Sequence, residues 1–401
     1  MKLGSEVLEN SKALSELKKK RVALLAHPAS VNKNLAHSST VFKKILKENL
    51  VCAFGPQHGI RGEKQDNMEE SPDIIDPVLG IPVYSLYGKT RRPTKEMIEK
   101  VDVLLVDLQD VGTRIYTFIT TLFYMLEAFH NTQKEIWILD RPNPAGRSIE
   151  GFCLDPKMIS FVGCSEGLIL RHGLTLGELT EYFKEKHSFK VKTKVFKMQN
   201  YKAHQKPGWG WPSLEFPWVN PSPNIPRLSS VRAFPGTVLI EGTLLSEGRG
   251  TTRPLEIIGA PDIDGEKLLK EMEKINKKWM EGCQLRACYF EPTFQKHAKQ
   301  LCSGFQIHTD YQNFNPQKFK PFRLVCLALK ALRKLNPERE IWNRSYYEYE
   351  RDRISFDLIC GTSLVREWVD DPSSKPADLE GLLLQDEKSW LKTQKKYLLY
   401  R

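Results

Sequence analysis

Residues 101–114, VDVLLVDLQDVGTR, constrain the fold more than any other stretch of the chain. Three valines and three leucines in a near-continuous apolar run read as a strand buried on both faces, the kind a parallel sheet requires. The run breaks abruptly into Asp107, Gln109, Asp110 and Arg114, with Gly112 permitting a sharp turn, and a helical pattern follows from Tyr116 to about His130. Strand, polar tip and helix make half of a βαβ unit. In open α/β sheets ligands bind at the carboxyl ends of the strands, so one stretch points to both an architecture and the position of a site.

The same handover recurs along the chain. RVALLAH (21–27) ends in His27-Pro28-Ala29-Ser30, LVCAF (50–54) in GPQHGIRG (55–62), PVYSLY (82–87) in Gly88-Lys89, and EIWIL (135–139) in Asp140-Arg141-Pro142-Asn143-Pro144. Helices are expected over 35–46, 93–99 and 175–186, with a strand over 191–198 and another buried strand over 237–240. Beyond Pro254 amphipathic helices over 265–279 and 322–335 flank shorter strands near 286–290 and 305–309. The expected class is α/β: a Rossmann-like parallel-sheet domain over 1–252, followed by a smaller α/β domain over 253–401 that closes the cleft. No strand is followed by GxGxxG, which argues against a dinucleotide cofactor.

The formal charge of +11 raises the question of an anionic partner. The lysines are dispersed, however, and no basic block alternates with stacking aromatics, so a solvated surface is expected and no nucleic-acid partner. No run is apolar and long enough to span a bilayer, so no integral membrane contact is expected. The lysine-rich first twenty residues, with Leu8, Leu14 and Leu17, read as a short amphipathic helix. They lack the apolar centre of a secretory signal, which places the chain as written in the cytoplasm; a chain already trimmed of a leader would read the same. The eight cysteines show no CxxC pairing and read as buried free thiols, not as a zinc site.

Several residues at the proposed rim have two readings. Asp107 suits cation binding or water activation, and Asp110 suits capping of the next helix with pairing to Arg114. Arg141, in the rigid corner that follows Asp140, is either held for a hydroxyl-rich or anionic ligand or spent in an internal ion pair. His58 stands where an orienting or catalytic histidine would be useful. His172 precedes a helix whose first turn holds the capping box of Thr175 and Glu178, and it either enters the site or packs there. Trp209, Trp211 and Trp218, near Asn220, Ser222 and Asn224, suit either a sugar-binding wall or a structural plug. Glu241 and Glu247 are the acidic residues best suited to glycosidic chemistry, which needs a carboxylic acid for the leaving oxygen and a carboxylate to assist water. Gly248-Arg249-Gly250 suits an anion-binding nest, the one feature that favours a phosphate-utilising enzyme.

The ordered series GPQHGIRG (55–62), PVYSLYGKTRRPT (82–94), VDVLLVDLQDVGTRIYTFITT (101–121), LDRPNPAG (139–146), RHGLTLGEL (171–179), PWVNPSPNIP (217–226) and EGTLLSEGRGTTRP (241–254) closely resembles the exo-acting β-N-acetylmuramidases of the NamZ type. FEPTFQKHAKQLCSGFQIH (290–308) and KKYLLY (395–400) extend the resemblance over nearly the whole chain. It implies a two-domain glycoside hydrolase that releases terminal N-acetylmuramic acid from peptidoglycan fragments or muropeptides, without metal or organic cofactor. On this reading Arg61, Asp107, Asp110, Arg114, Tyr116, Asp140, Arg141, Asn143, Arg171, His172, Asn220, Ser222, Asn224 and Arg249 bind or orient substrate, and His58 is a catalytic or orienting candidate. The family usually carries glutamate where this chain has Gln57. An amide has no titratable proton near neutral pH, so Gln57 orients a group and cannot act as acid or base. Two readings follow: a hydrolase whose catalytic carboxylates are Glu241, Glu247 or Glu63, or a muropeptide-binding protein that has lost hydrolysis.

Overall fold

The structure, a computed structural model, describes residues 1–62, 64–66, 68–203, 210–213 and 215–400. The first six strands in chain order are β1 (Val22–Ala26), β2 (Leu50–Gly55), β3 (Ile74–Ile75), β4 (Pro82–Ser85), β5 (Val103–Asp107) and β6 (Glu135–Leu139). They are followed by β7 (Glu150–Cys153), β8 (Ile169–Arg171), β9 (Lys192–Phe196), β10 (Ile257–Ala260), β11 (Gln284–Phe290) and β12 (Cys302–His308). A seven-stranded sheet has the order β3-β4-β2-β1-β5-β6-β9, parallel except for the two-residue edge strand β3.

Why this sheet is parallel is visible in β5. Leu104 and Val106 pack into one core cluster with Phe118, Leu122, Leu179 and Phe183, while Val103 and Leu105 pack into another with Leu8, Leu17, Phe42 and Trp137. Both faces are covered by helices, so the strand carries no polar face. The winding runs outward from β1 through β2 to β4, then returns to β5 on the other side of β1 and continues to β6 and β9. That reversal opens a crevice beyond the carboxyl ends of the central strands.

The C-terminal region is built differently. A three-stranded antiparallel sheet of order β10-β12-β11 packs under the helix Gly265–Asn276, which in turn packs against the helix Pro321–Leu335. The last long helix, Pro376–Gln394, returns to the first sheet's region, where Trp390 Nε1 donates to the His172 carbonyl at 2.9 Å and Tyr400 Oη donates to Asp140 at 2.7 Å. The fold is thus α/β, with a parallel-dominated sheet followed by a smaller α/β region.

Three local expectations need correction. Residues 237–240 form no strand: the helix Leu228–Thr237 runs directly into a 3₁₀ turn, Val238–Gly242. A four-residue apolar run has no period that separates buried strand from buried helix. The amino terminus is two short helices, Gly4–Glu9 and Ala13–Leu17, not one. Finally, Arg114 does not pair with Asp110. It is fully buried and donates to the carbonyls of Phe152, Leu168 and Ile359, while Asp110 accepts from the Gly112 amide at 2.7 Å within the turn.

Candidate active site

The groups that follow β2 and β5 meet the 3₁₀ turn and a C-terminal segment around one small cavity. Its lining includes Gln57, His58, Tyr116, Thr117, Ser222, Glu241, Arg249, Tyr347 and Glu348. The cavity measures about 40 Å³, room for about three waters. Alongside it lies an open groove of about 670 Å³, lined by Asn224, Arg227, Gly250, Thr251, Phe290 and Phe294 among others. Sequence neighbours line the two spaces: Ser222 and Arg249 face the cavity, Asn224 and Gly250 the groove.

β2 ends at Gly55, and Pro56 turns the chain so that Gln57 and His58 face inward. His58 is held in the left-handed region at φ 70°, a conformation costly for a residue with a Cβ. Its Nδ1 lies 3.1 Å from the Lys64 carbonyl, which requires that this nitrogen carry the proton, and Nε2 accepts from the Ser222 hydroxyl at 3.1 Å. Burial drives its pKa down to about 4, partly opposed by the Lys64 carbonyl. His58 is therefore a neutral imidazole with a fixed tautomer near pH 7. Tyr116 donates to the Pro221 carbonyl at 2.6 Å and so ties the start of the helix after β5 to the proline-rich segment.

The carboxylates are arranged around one guanidinium. Arg249 Nη2 donates to Glu241 at 2.6 Å, its Nε donates to Glu247 at 3.1 Å, and Tyr347 Oη donates to the other oxygen of Glu241 at 2.9 Å. Glu247 also meets Lys296 at 2.7 Å. Burial alone would raise the Glu247 carboxyl, yet Lys296 and Arg249 together hold it below the usual range. The guanidinium of the Gly-Arg-Gly turn thus engages two carboxylates through Nε and Nη2.

Glu348 was not singled out by the sequence reading, nor were Tyr347, Thr117 or Tyr87. Its carboxyl is almost fully buried, accepting from Gln57 Nε2 at 3.0 Å and from Tyr87 Oη at 2.7 Å. Thr117 in turn donates to Gln57 Oε1 at 2.6 Å, fixing the orientation of that amide. Desolvation holds the Glu348 carboxyl up at about 7, against the downward pull of the Tyr87 and Gln57 hydrogen bonds. The run YYEYE (346–350) carries no periodicity and no motif; its one signal is a carboxylate between tyrosines.

The other sequence-selected residues stand outside the cavity. Asp107 and Arg141 form a buried ion pair, with Arg141 Nη2 3.0 Å from Asp107 Oδ2, and Ser38 also donates to Asp107. Asp140 accepts from Thr175, the Gly177 amide and Tyr400; burial lifts its pKa to about 6 against the Tyr400 hydrogen bond. Asn143 donates to the Leu174 carbonyl and Arg171 to that of Ala145. His172 accepts from the Leu174 amide, and its Nε2 lies 3.5 Å from Asp110. Arg61 pairs with Asp76, and Asn220 donates to the Ser222 carbonyl. Asn224 donates to the Gln65 carbonyl at the groove. Trp211 and Trp218 pack edge to face at 4.9 Å within a cluster that includes Leu3 and Tyr400, while Glu63 and Trp209 lie outside the described residues.

Known proteins of similar sequence and structure bear on this site. Residues 22–229 match the family model described as exo-beta-N-acetylmuramidase NamZ, N-terminal, and residues 232–400 match its C-terminal counterpart. The chain is 39% identical over 389 residues to the peptidoglycan beta-N-acetylmuramidase NamZ of Bacillus subtilis (strain 168), covering 96% of this chain and 88% of that protein. A crystal structure of a DUF1343 family protein from Bacteroides fragilis NCTC 9343 superposes with a TM-score of 0.84 at 30% identity, covering 100% of this chain and 99% of the other. A second DUF1343 protein from the same organism gives 0.76 at 26% identity over the same shares.

Proposed function

Because the chain belongs to the exo-β-N-acetylmuramidase NamZ family, we propose that it is a glycoside hydrolase that releases terminal N-acetylmuramic acid from peptidoglycan fragments. The observation that carries the reading is the buried cavity at the strand ends, where the Glu241 carboxylate, backed by Arg249 and Tyr347, faces a space shared with His58, Ser222 and Gln57. A carboxylate held by a guanidinium suits the partner that assists water or stabilises positive charge at the anomeric carbon. The groove beside the cavity, with Phe290 and Phe294 and the polar Asn224 and Thr251, supplies apolar faces and hydrogen-bonding edges for saccharide rings. Within this reading His58 acts as a fixed neutral hydrogen-bonding group, and Glu247 and Lys296 support Arg249 from behind. Arg141, Asp107, Asp110, Asp140, Asn143, Arg171 and His172 hold the loops that carry the cavity.

The test is release of free sugar from a chromogenic β-N-acetylmuramide and from a disaccharide with N-acetylmuramic acid at its non-reducing end. Turnover of both supports the reading. Binding of muropeptides in calorimetry with no turnover of either would replace it with a binding protein, the outcome that Gln57 would then explain.

A further inference from the structure

We propose that Glu348 is the catalytic acid of this hydrolase, a carboxyl group that touches the glycosidic oxygen and gives it a proton, held in place for that step by Tyr87 and Gln57. The inference rests on the muramidase reading above and names the group that the reading leaves open.

The geometry begins with the backbone. Tyr347 and Glu350 exchange both backbone hydrogen bonds, at 3.2 and 2.9 Å, so residues 347–350 close a two-residue hairpin turn. The two central residues, Glu348 and Tyr349, have φ of 46° and 73°. A turn with both central residues left-handed ordinarily uses Asn-Gly or Gly-Gly, because a Cβ is disfavoured there. Here the positions are filled by a glutamate and a tyrosine, at a cost on the order of 1–3 kcal/mol each. The turn is held from outside: Tyr349 Oη donates to Glu70, Arg91 lies over the Tyr349 ring, and the Glu348 amide donates to Met68 Sδ. What the arrangement achieves is to aim the Glu348 carboxyl inward, into the cavity.

The hydrogen bonds then separate the two cavity carboxyls by role. Glu241 is bound by a cation, Arg249, at 2.6 Å. Among the described residues Glu348 accepts only from neutral donors, the Tyr87 hydroxyl and the Gln57 amide, each of which leaves a second lone pair on the oxygen it meets. The charged groups that act on Glu348 are Glu241, which favours its protonated form, and Arg91, which opposes it. A carboxyl retained as an acid near pH 7 beside a cation-paired carboxylate is the division of labour that glycoside hydrolysis uses. Gln57 completes it. A glutamate at position 57 would compete for the same proton, whereas an amide locked by Thr117 can only donate toward Glu348. Gln57 is a positioning residue in this scheme, and it does not need a proton of its own.

In the step, the Glu348 proton passes to the glycosidic oxygen as the bond from that oxygen to the anomeric carbon breaks. The bonding pair leaves with the oxygen, so the leaving sugar departs as a neutral alcohol. A water oxygen adds to the anomeric carbon, and the proton it releases restores the enzyme's starting protonation state.

The test compares Glu348→Gln with Glu241→Gln and the natural protein on two substrates. One is a disaccharide with N-acetylmuramic acid β-linked to a second sugar, whose departure needs protonation. The other is 2,4-dinitrophenyl β-N-acetylmuramide, whose leaving group needs none. Glu348→Gln is expected to lower kcat/KM on the disaccharide about 10²–10⁴-fold, to leave the dinitrophenyl substrate within about tenfold, and to remove the alkaline limb of the pH–rate profile. Equal losses on both substrates, an unchanged alkaline limb, or leaving-group dependence in Glu241→Gln instead would overturn the assignment. Silence of the natural protein on both substrates would overturn the muramidase reading, and the assignment with it. Should Glu348→Gln not fold, Tyr87→Phe carries the test. Losing a donor to the ionised form must move the alkaline limb upward in pH, whatever happens to kcat on its plateau, and an unmoved limb counts against the proposal.

Discussion

At the scale of single residues, the cavity is governed by which carboxyl has a cation and which does not. Glu241→Gln keeps the shape of the side chain and leaves Arg249 paired with Glu247, so the fold should survive while kcat drops about 10²–10³-fold, checked by sugar release alongside thermal melting. Gln57→Glu makes the opposite change. It places a second carboxyl beside Glu348, where like charges disfavour double ionisation, so the pair should share one proton and the alkaline limb of the rate profile should move above its natural position. A pH profile of the variant reports this directly. These residues also mark where sequence reading stops. Gln57, His58 and Tyr116 drew notice because strand-end loops collect ligand-facing groups, whereas Glu241 lines the same cavity from a 3₁₀ turn and not from the strand end expected for it. Glu348 was not, because nothing local distinguishes a buried carboxyl from a solvated one in a tyrosine-rich loop. Its burial is created by Tyr87 and Gln57, residues far away along the chain. Arg141 was legible as a cation held for a ligand or spent in an ion pair, but its partner Asp107 was not, since a sequence does not show that the two meet across neighbouring strand ends.

At the scale of elements, the parallel sheet was legible because its strands are apolar on both faces and each hands over to a glycine- and proline-rich tip. The hairpin of β7 and β8 and the helical nature of 237–240 were not, since short apolar runs take the form their neighbours impose. The helix Leu228–Thr237 shows how strongly packing decides. It delivers the 3₁₀ turn that carries Glu241, and at Gly236 it crosses the start of helix Pro321–Leu335, where an added Cβ would lie 2.0 Å from the Pro321 carbonyl oxygen. Alanine is the better helix former by roughly 1 kcal/mol, but overpacking against backbone costs typically 1–3 kcal/mol or more. Gly236→Ala should therefore lose about 1–2 kcal/mol in urea unfolding and should also weaken turnover, because the displaced helix moves Glu241. A milder effect is expected at Thr175. Its hydroxyl caps the helix Leu176–Lys186 and also donates to Asp140, so Thr175→Ala should cost about 1–2 kcal/mol with little change in kcat.

At the scale of the whole molecule, buried titrating groups give stability a pH dependence of opposite signs. Glu348 is raised from 4.5 to about 7, so its stabilising proton is fully held below 4.5 and lost as pH rises through about 7. His58 is lowered from 6.5 to about 4, so its contribution is present above 6.5 and lost as pH falls through about 4. Glu348→Gln removes the first of these, and its stability relative to the natural protein should improve by about 3 kcal/mol between pH 4 and pH 8, read from urea midpoints. The same carboxyl has a history as well as an energy. Its bond to Gln57 spans 291 residues of sequence, so the two halves of the catalytic arrangement are made at different moments. At roughly 5–20 residues per second, translation separates them by about 15–60 s. Throughout that interval the nascent chain carries Gln57 and, from residue 196 onward, all strands of the parallel sheet but no acid, so an enzyme able to cut cell-wall fragments is born inert. Fragments that stop short of residue 348 should bind no better than weakly and release no sugar, so activity becomes a readout of completed synthesis.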